Sequence, residues 1–123
     1  KNIKSTVLRM AGLAGGTRKP GRFLAGKKEL KNGSAPINLV HQVDCVAIAA
    51  GVIARGLWNE TYNVVADEHP TRAIFYTYQA LKEDLEPPTF VKEDTEPNYK
   101  IVSNEKIKSA LNYQLRHPDP MSF

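Results

Sequence analysis

Hydrophobic positions along the chain form short blocks typical of strands and longer blocks typical of helices. The first block, residues 5–11, is a β-branched and aliphatic run that ends in a glycine-rich turn, and further short strands are predicted over residues 36–41 and 61–66. Near-continuous apolar runs of this length are typical of parallel strands that are covered on both faces. Such sheets bind ligands beyond the carboxyl ends of their strands, which is where the first block meets its glycines.

Two long helices are predicted from the apolar residues. The residues from Asp44 to about Arg55 are apolar on every side, so we expect this helix to be covered over most of its circumference, with Asp44 as its N-cap. The second helix is predicted from about Arg72 to Glu86, with Thr71 as its cap. Its helical spacing predicts one buried stripe of apolar side chains, made of Ile74, Phe75, Tyr78, Leu81 and Leu85.

The remaining segments are predicted to be short or irregular. Residues 17–35 form a basic, glycine-rich excursion with at most a short helix around residues 23–25. A short strand is predicted over residues 89–91, followed by an acidic loop through Glu96 and a short helix that begins after Ser103. The order of strand, excursion, strand, helix, strand and helix predicts an α/β fold.

Length and composition limit the class of protein. A chain of 123 residues with 41% apolar residues fits one domain. Its longest apolar run, residues 45–54, is too short to span a bilayer, and no signal-peptide pattern is visible, so we expect no membrane partner. The single Cys45 has no thiol to pair with, and we predict a buried, inert thiol in a cytoplasmic protein.

Charge is distributed unevenly along the chain. The net charge is +4, but residues 1–33 carry nine Lys or Arg against Glu29 alone. This asymmetry predicts that the first third meets an anion, which leaves open a small phosphate-bearing molecule, a nucleic acid and an acidic protein surface. Only Phe23 is interleaved with the basic residues, so the stacking surface expected for single-stranded nucleic acid is missing.

No complete catalytic or metal-binding motif is present. The glycines of Gly16 to Gly21 have P-loop spacing, but Arg22 and Phe23 replace the Lys and the hydroxyl residue that the loop requires. The three histidines lie far apart, so no metal site is predicted. No Gly-x-Ser-x-Gly elbow is present, and we predict no catalytic residue in this chain.

Three segments in order resemble the C-terminal half of the extended short-chain dehydrogenase/reductases, the NAD-dependent epimerase/dehydratase family. Residues 8–16 are similar to the L-R-x-x-x-x-Y-G-P motif of that family, residues 38–44 are similar to its H-V-x-D segment, and residues 61–64 are similar to its Y-N-V strand. The resemblance implies the C-terminal portion of a Rossmann-like parallel sheet plus the small substrate-binding subdomain. It covers nearly the whole of residues 1–123.

The resemblance also implies positions for ligands. Ala11, Gly12 and Leu13 would lie near the nicotinamide of NAD or NADP, and the excursion of residues 17–35 would help to build the substrate subdomain. Arg22 and Asn38 are then the candidates for binding a small anionic substrate. Ile37 stands where sugar-nucleotide epimerases commonly carry a phosphate-binding Arg, which argues against a nucleotide-sugar substrate.

The cofactor loop and the Tyr-x-x-x-Lys base of the family are absent from the matched segments. Tyr78 and Lys82 have the same spacing, but we interpret Tyr78 as a core residue of the second helix. We therefore expect an inactive C-terminal part of a larger enzyme, which needs a missing N-terminal Rossmann half to bind its cofactor. Its uncovered faces predict self-association into a homo-oligomer. The alternative is a freestanding module that binds an anionic partner through its basic first third.

Overall fold

The computed structural model describes residues 3–93 and 99–123, which form an α/β fold. The strands are β1 (Thr6–Met10), β2 (Gly12–Ala14), β3 (Leu39–His41) and β4 (Glu60–Val64). The helices are α1 (Gln42–Arg55), α2 (Arg72–Lys82) and α3 (Glu105–Leu111), with short 3₁₀ helices at Pro20–Arg22 and Pro120–Ser122. The predicted order of strand, excursion, strand, helix, strand and helix is confirmed, but Gly12–Ala14, predicted as part of a glycine-rich turn, forms the additional strand β2. The acidic loop predicted around Glu96 lies outside the described residues.

All strand pairing is parallel and forms two small sheets that share one continuous segment of chain. β1 pairs with β4 from Thr6 opposite Glu60 to Met10 opposite Val64. The chain then passes Ala11 into β2, which pairs with β3. Within the described residues β1 has a partner strand on one edge only. Its Val7 and Met10 side chains are exposed, so the strand type is as predicted but its burial on both faces is not provided by this chain.

The main core lies between β4, α1 and α3. Its buried members include Ile48 and Val52 of α1, Val64 of β4 and Ile107 of α3. Cys45 belongs to the same cluster, which confirms its predicted burial. Burial raises the pKa of its thiol, and the negative charge of Asp44 adds a smaller rise. A smaller core beside it consists of Ile37, Leu39 and Phe75.

Helix α1 differs from its prediction at both its cap and its outer face. It begins at Gln42, and its N-cap is His41, whose Nδ1 accepts a hydrogen bond from the Val43 N–H at 3.1 Å. Asp44 is therefore not the cap: it is fully buried in the first turn. The expected cover is also incomplete, because Val46 and Ile53 are 70% and 67% exposed. Helix α1 is apolar on all sides as predicted, but the described residues cover only one side of it.

The carboxylate of Asp44 holds the C-terminal segment of the chain. Its Oδ1 accepts from the Tyr113 hydroxyl at 2.7 Å and from the Arg116 N–H at 2.9 Å, while Oδ2 accepts from the His117 N–H at 3.0 Å. The His117 ring then stacks on His41, with centroids 3.8 Å apart. Asp44 was predicted to cap its own helix, but it instead joins two segments about seventy positions apart in sequence.

Helix α2 begins as predicted, but its buried face is different. The Thr71 hydroxyl accepts from the Ile74 N–H at 3.3 Å, and the helix ends at Lys82 rather than Glu86. The buried positions are Phe75, Gln79 and Ala80. Most of the predicted stripe is exposed, including Ile74, Tyr78 and Leu81, so the interpretation of Tyr78 as a core residue is wrong.

Close packing at the excursion explains which face of α2 is buried. The short helix lies at Pro20–Arg22 rather than around residues 23–25, and Pro20 and Gly21 are buried. A Cβ at Gly21 would lie 2.3 Å from the Gln79 carbonyl oxygen, so only glycine allows this approach to α2. The predicted strand near residue 90 is reduced to a single parallel bridge between Leu30 and Phe90.

Candidate functional site

The predicted cofactor segment lies where the two small sheets meet. The Ala11 N–H donates to the Val64 carbonyl at 3.0 Å, which ends the β1–β4 pair, and the Gly12 N–H donates to the Asn38 carbonyl at 3.1 Å, which starts the β2–β3 pair. Gly12 is exposed and Leu13 is 38% exposed. The segment therefore presents small side chains and backbone at the carboxyl end of β1. Its contact with a nicotinamide stays a prediction.

Gly12 is required by a close approach between β2 and β3. A Cβ at this position would lie 2.5 Å from Leu39 Cδ2 and 3.5 Å from the Asn38 carbonyl oxygen. Farther along, Gly15 and Gly16 have positive φ angles of 112° and 58°, which glycine adopts without strain. The glycine-rich turn predicted after the first strand is thus needed for backbone geometry.

The side chain of Asn38 is engaged within the protein. Its Nδ2 donates to the Lys100 carbonyl at 3.1 Å, and its Oδ1 accepts from the Val102 N–H at 2.9 Å. These two bonds fix the segment that follows Tyr99 against the start of β3. Asn38 as a substrate ligand stays a prediction, and the observed contacts give it a structural role beside the cleft described next.

Backbone pairing between residues 35–37 and 70–72 positions Arg72, a residue that belongs to none of the sequence motifs described above. The Arg72 N–H donates to the Ala35 carbonyl at 2.9 Å, and the Ile37 N–H donates to the Pro70 carbonyl at 2.9 Å. His69 Nδ1 lies 3.0 Å from the Ile37 carbonyl oxygen and strengthens the same junction. Arg72, the first residue of α2, is thereby held next to Ile37.

These contacts border an open cleft of about 300 Å³, which we call the Arg72 cleft. It is lined by eight residues from the β3 approach, the start of α2 and the segment after residue 98: Ala35, Pro36, Ile37, Asn38, Leu39, Arg72, Tyr76 and Tyr99. The Nε of Arg72 is buried and has no hydrogen-bond partner among the described residues. Its Cζ lies 5.7 Å from the centroid of the Tyr76 ring. Burial raises the pKa of the Tyr76 hydroxyl, while the nearby Arg72 charge opposes that rise.

Arg22 lies at a different place from this cleft. It ends the 3₁₀ helix that packs on Gln79 through Gly21, whereas Arg72 is seven residues earlier on α2, or about 10 Å along the helix axis. Arg22 is exposed and does not line the Arg72 cleft. Its predicted contact with a substrate anion stays a prediction. Arg72 was missed because the segment that holds it in place, residues 35–37, is more than thirty positions away in sequence.

The described residues offer neither a metal-binding cluster nor a membrane-spanning helix. Residues 3–93 and 99–123 contain no group of three or more His, Cys, Asp or Glu residues that could hold a metal ion. In the same part of the chain, no helix combines the length and the apolar character needed to cross a bilayer.

Comparison with known proteins gives curated relatives and several similar structures. No protein-family model matches the chain. Protein YeeZ of Escherichia coli strain K12 is 36% identical over 115 residues, which cover 94% of this chain and 42% of YeeZ. The chain thus spans less than half the length of the curated relative that it matches.

Similar solved structures agree on the fold. A conserved protein of unknown function from Silicibacter pomeroyi matches with a TM-score of 0.78 and 27% identity, over 95% of this chain and 46% of that protein. A proposed NAD-dependent epimerase/dehydratase from Methylobacillus flagellatus gives 0.69 and 22%, over 96% of this chain and 44% of its own. The dTDP-glucose 4,6-dehydratase of Bacillus anthracis, solved with NAD, gives 0.68 and 18%, over 94% and 42%. The fold of this chain therefore matches the C-terminal portion of the Rossmann-like epimerase/dehydratase fold.

Proposed function

We propose that the chain is the substrate-side portion of an NAD(P)-dependent epimerase, dehydratase or reductase. The observation that carries this proposal is the incomplete sheet at the cofactor segment. β1 has a partner strand on one edge only among the described residues, and its Val7 and Met10 side chains are exposed. Parallel strands are normally covered on both faces. A nucleotide-binding half would cover them if its sheet paired with the second edge of β1 and its helices packed on the open face.

The positions of the small residues fit a nicotinamide cofactor at the end of β1. NAD or NADP supplies hydride transfer when it is bound. Ala11 and Gly12 leave room for a flat ring beside the backbone, and Leu13 adds a half-exposed apolar side chain. The hydrogen bond from Gly12 to Asn38 connects this segment directly to the Arg72 cleft. A substrate in the cleft would therefore lie beside the cofactor.

This chain supplies binding and orientation in the proposed reaction, and the missing half supplies the cofactor loop and the catalytic base. The chain alone is then inactive. The exposed face of α1, with Val43, Val46 and Ile53, is a surface for the missing half, and the exposed face of α2 offers a surface for a second copy. A homo-oligomer and a cytoplasmic location belong to the same proposal.

A complementation experiment tests the proposal. The chain is titrated with NADH and NADPH by fluorescence, alone and after co-expression with the part of YeeZ that it does not match. We expect no binding by the chain alone, and a co-purifying complex that binds one of the two cofactors. Failure of the two parts to associate, or an associated pair that ignores both cofactors, would contradict the proposal.

Two leucines of equal exposure provide a matched control for the cofactor segment. Leu13 is 38% exposed and Leu85 is 37% exposed, so a change to alanine removes similar surface at either position. Leu13→Ala is expected to weaken NADH binding several-fold because it removes an apolar contact with the nicotinamide. Leu85→Ala is expected to leave the affinity unchanged. Equal effects of the two variants would remove Leu13 from the cofactor site.

The basic excursion gives the alternative function, a binding module for an anionic partner. Part of its charge is paired inside the protein: Lys28 Nζ lies 2.6 Å from Glu86 Oε1, and Lys19 Nζ lies 3.5 Å from Glu83 Oε1. These contacts lower the positive charge available to nucleic acid and favour the enzyme proposal. Titration with duplex and single-stranded nucleic acid at several salt concentrations separates the two, because binding that falls steeply with salt would support the module.

A further inference from the structure

The Arg72 side chain lines the cleft and makes no ion pair within the described residues. Its Nε is buried and has no hydrogen-bond partner among the described residues. A buried donor on a charged group is costly when it lacks an acceptor. The Tyr76 ring lies beside the guanidinium at 5.7 Å, which offers it a cation–π contact but no acceptor oxygen.

The charge and the shape of the cleft indicate which class of ligand could accept hydrogen bonds from Arg72. Arg72 is the one charged residue among those that line the cleft, and it makes no ion pair within residues 3–93 and 99–123. A guanidinium presents its donors in a planar fork, which matches the paired oxygens of a carboxylate or a phosphate group. The acceptor that fits is therefore an oxyanion.

The rest of the cleft fits an apolar body attached to that anion. Ile37 and Leu39 belong to the smaller core and form an apolar floor, and Tyr76 packs against the same core. Tyr99 lies at the opening and is half exposed. The volume of about 300 Å³ is at the lower end of ligand pockets, so it holds a small molecule or one end of a larger one.

The start of α2 is not itself available to such a ligand. The Arg72 N–H donates to Ala35 and the Ala73 N–H donates to Gly33, both at 2.9 Å, and the Ile74 N–H donates to Thr71. Since the first-turn donors are already bonded within the protein, recognition of an anion depends on the Arg72 side chain.

We infer that the Arg72 cleft binds a small organic anion, a carboxylate or a phosphate monoester, whose apolar part lies on Ile37, Leu39 and Tyr76. This inference rests on the proposed function and names the substrate class of the same protein. It assigns the anion to Arg72 rather than to Arg22 of the excursion.

Nuclear magnetic resonance of the Arg72 side chain tests the inference directly. The ¹⁵N–¹H signal of Arg72 Nε is followed during titration with four probes: phenyl phosphate, benzoate, inorganic phosphate and benzyl alcohol. We expect phenyl phosphate or benzoate to shift this signal and to bind at least tenfold more tightly than inorganic phosphate or benzyl alcohol. No shift with any probe, or equal binding of inorganic phosphate, would overturn the inference.

Arginine variants identify the side chain responsible. Arg72→Ala is expected to weaken binding about ten- to hundredfold, since it removes the charged hydrogen bonds, and Arg72→Lys is expected to restore part of the loss. Arg55→Ala, at the end of α1, is the control and should bind as the original chain does. Loss of binding in Arg22→Ala with none in Arg72→Ala would overturn the assignment. If Arg72→Ala does not fold, the comparison of Arg72→Lys with Arg55→Ala decides.

The cofactor titration separates this inference from the proposed function. The complemented protein is titrated with NADH and with phenyl phosphate in parallel. NADH binding without anion binding would refute the inference and leave the proposed function standing. Anion binding at Arg72 without NADH binding would support the inference while refuting the proposed function.

Discussion

Replacement of Asp44 tests how the C-terminal segment is held in place. The side chain is fully buried and accepts hydrogen bonds from the Tyr113 hydroxyl and from the backbone N–H groups of Arg116 and His117. Asp44→Ala leaves these three donors without their acceptor. A buried donor that loses its acceptor costs about 1 to 3 kcal/mol, and Asp44 serves three donors, so we expect the free energy of unfolding to fall by about 3 to 5 kcal/mol.

Two milder variants set the order of effects. Asp44→Asn can keep its oxygen at the Oδ1 position, but its NH₂ group then faces the His117 N–H in place of Oδ2, at a cost of about 1 to 3 kcal/mol. Tyr113→Phe removes one hydrogen bond and is expected to cost about 1 kcal/mol. The expected order of destabilisation is therefore Asp44→Ala, then Asp44→Asn, then Tyr113→Phe.

Urea unfolding followed by circular dichroism measures these changes, and limited proteolysis after residue 112 reports release of the segment. A loss below about 1 kcal/mol in Asp44→Ala would refute the reasoning, because three charged hydrogen bonds cannot be that weak in net effect. Alkaline titration adds an independent check. Burial and the hydrogen bond to Asp44 raise the pKa of Tyr113 to about 12. The contribution of Tyr113 to stability is thus complete below about pH 10 and lost between pH 10 and 12, and Tyr113→Phe should lack this loss.

Three further changes test the cap, the strand contact and the exposed helix face. Burial and the nearby His117 lower the pKa of His41. The contribution of the His41 cap to stability is therefore present above about pH 6.5 and lost as the pH falls through the lowered pKa. In acid unfolding curves, His41→Asn should keep the cap and abolish this loss. Gly12→Ala should destabilise the protein by about 1 to 3 kcal/mol through contact with Leu39, and the added change Leu39→Val should not deepen the loss if the clash is its cause. Val46→Glu should change the free energy of unfolding of the chain by less than about 0.5 kcal/mol yet weaken its complex with the proposed N-terminal half at least tenfold in calorimetry. An unweakened complex would place the proposed interface elsewhere.

Local sequence signals predicted where the strands and helices lie better than they predicted which of their side chains are buried. The hydroxyl of Thr71 caps α2 as its position suggests, because capping needs only neighbouring residues. The stripe with Ile74 and Leu81 has helical spacing, but spacing cannot say whether the covering surface belongs to the same chain. Asp44 shows the opposite case, in which a residue suited to a local cap is used by a segment about seventy positions away. Long-range contacts decided both outcomes.

The candidate site was predicted only in part for the same reason. The resemblance selected Gly12 and Asn38, which do lie together because β2 pairs with β3. It did not select Arg72, whose place beside Ile37 depends on pairing between two loops. The helix dipole disfavours a cation at the first position of a helix, but this signal alone does not show that the residue lines a cleft. Arg22 drew notice through the charge of its segment, which is independent of where the clefts form.

The β1–β4 pair has a consequence for the time at which the protein can fold during synthesis. Thr6 cannot pair until Glu60, its partner 54 positions later in the chain, has emerged from the ribosome. At translation rates of about 5 to 20 residues per second, that delay is about 3 to 11 seconds. Throughout this interval the edge of β1 that β4 will cover is unpaired and available to other nascent chains. Slower codons within α1 would lengthen its exposure and raise the demand for chaperones, whereas rapid translation to β4 would shorten it.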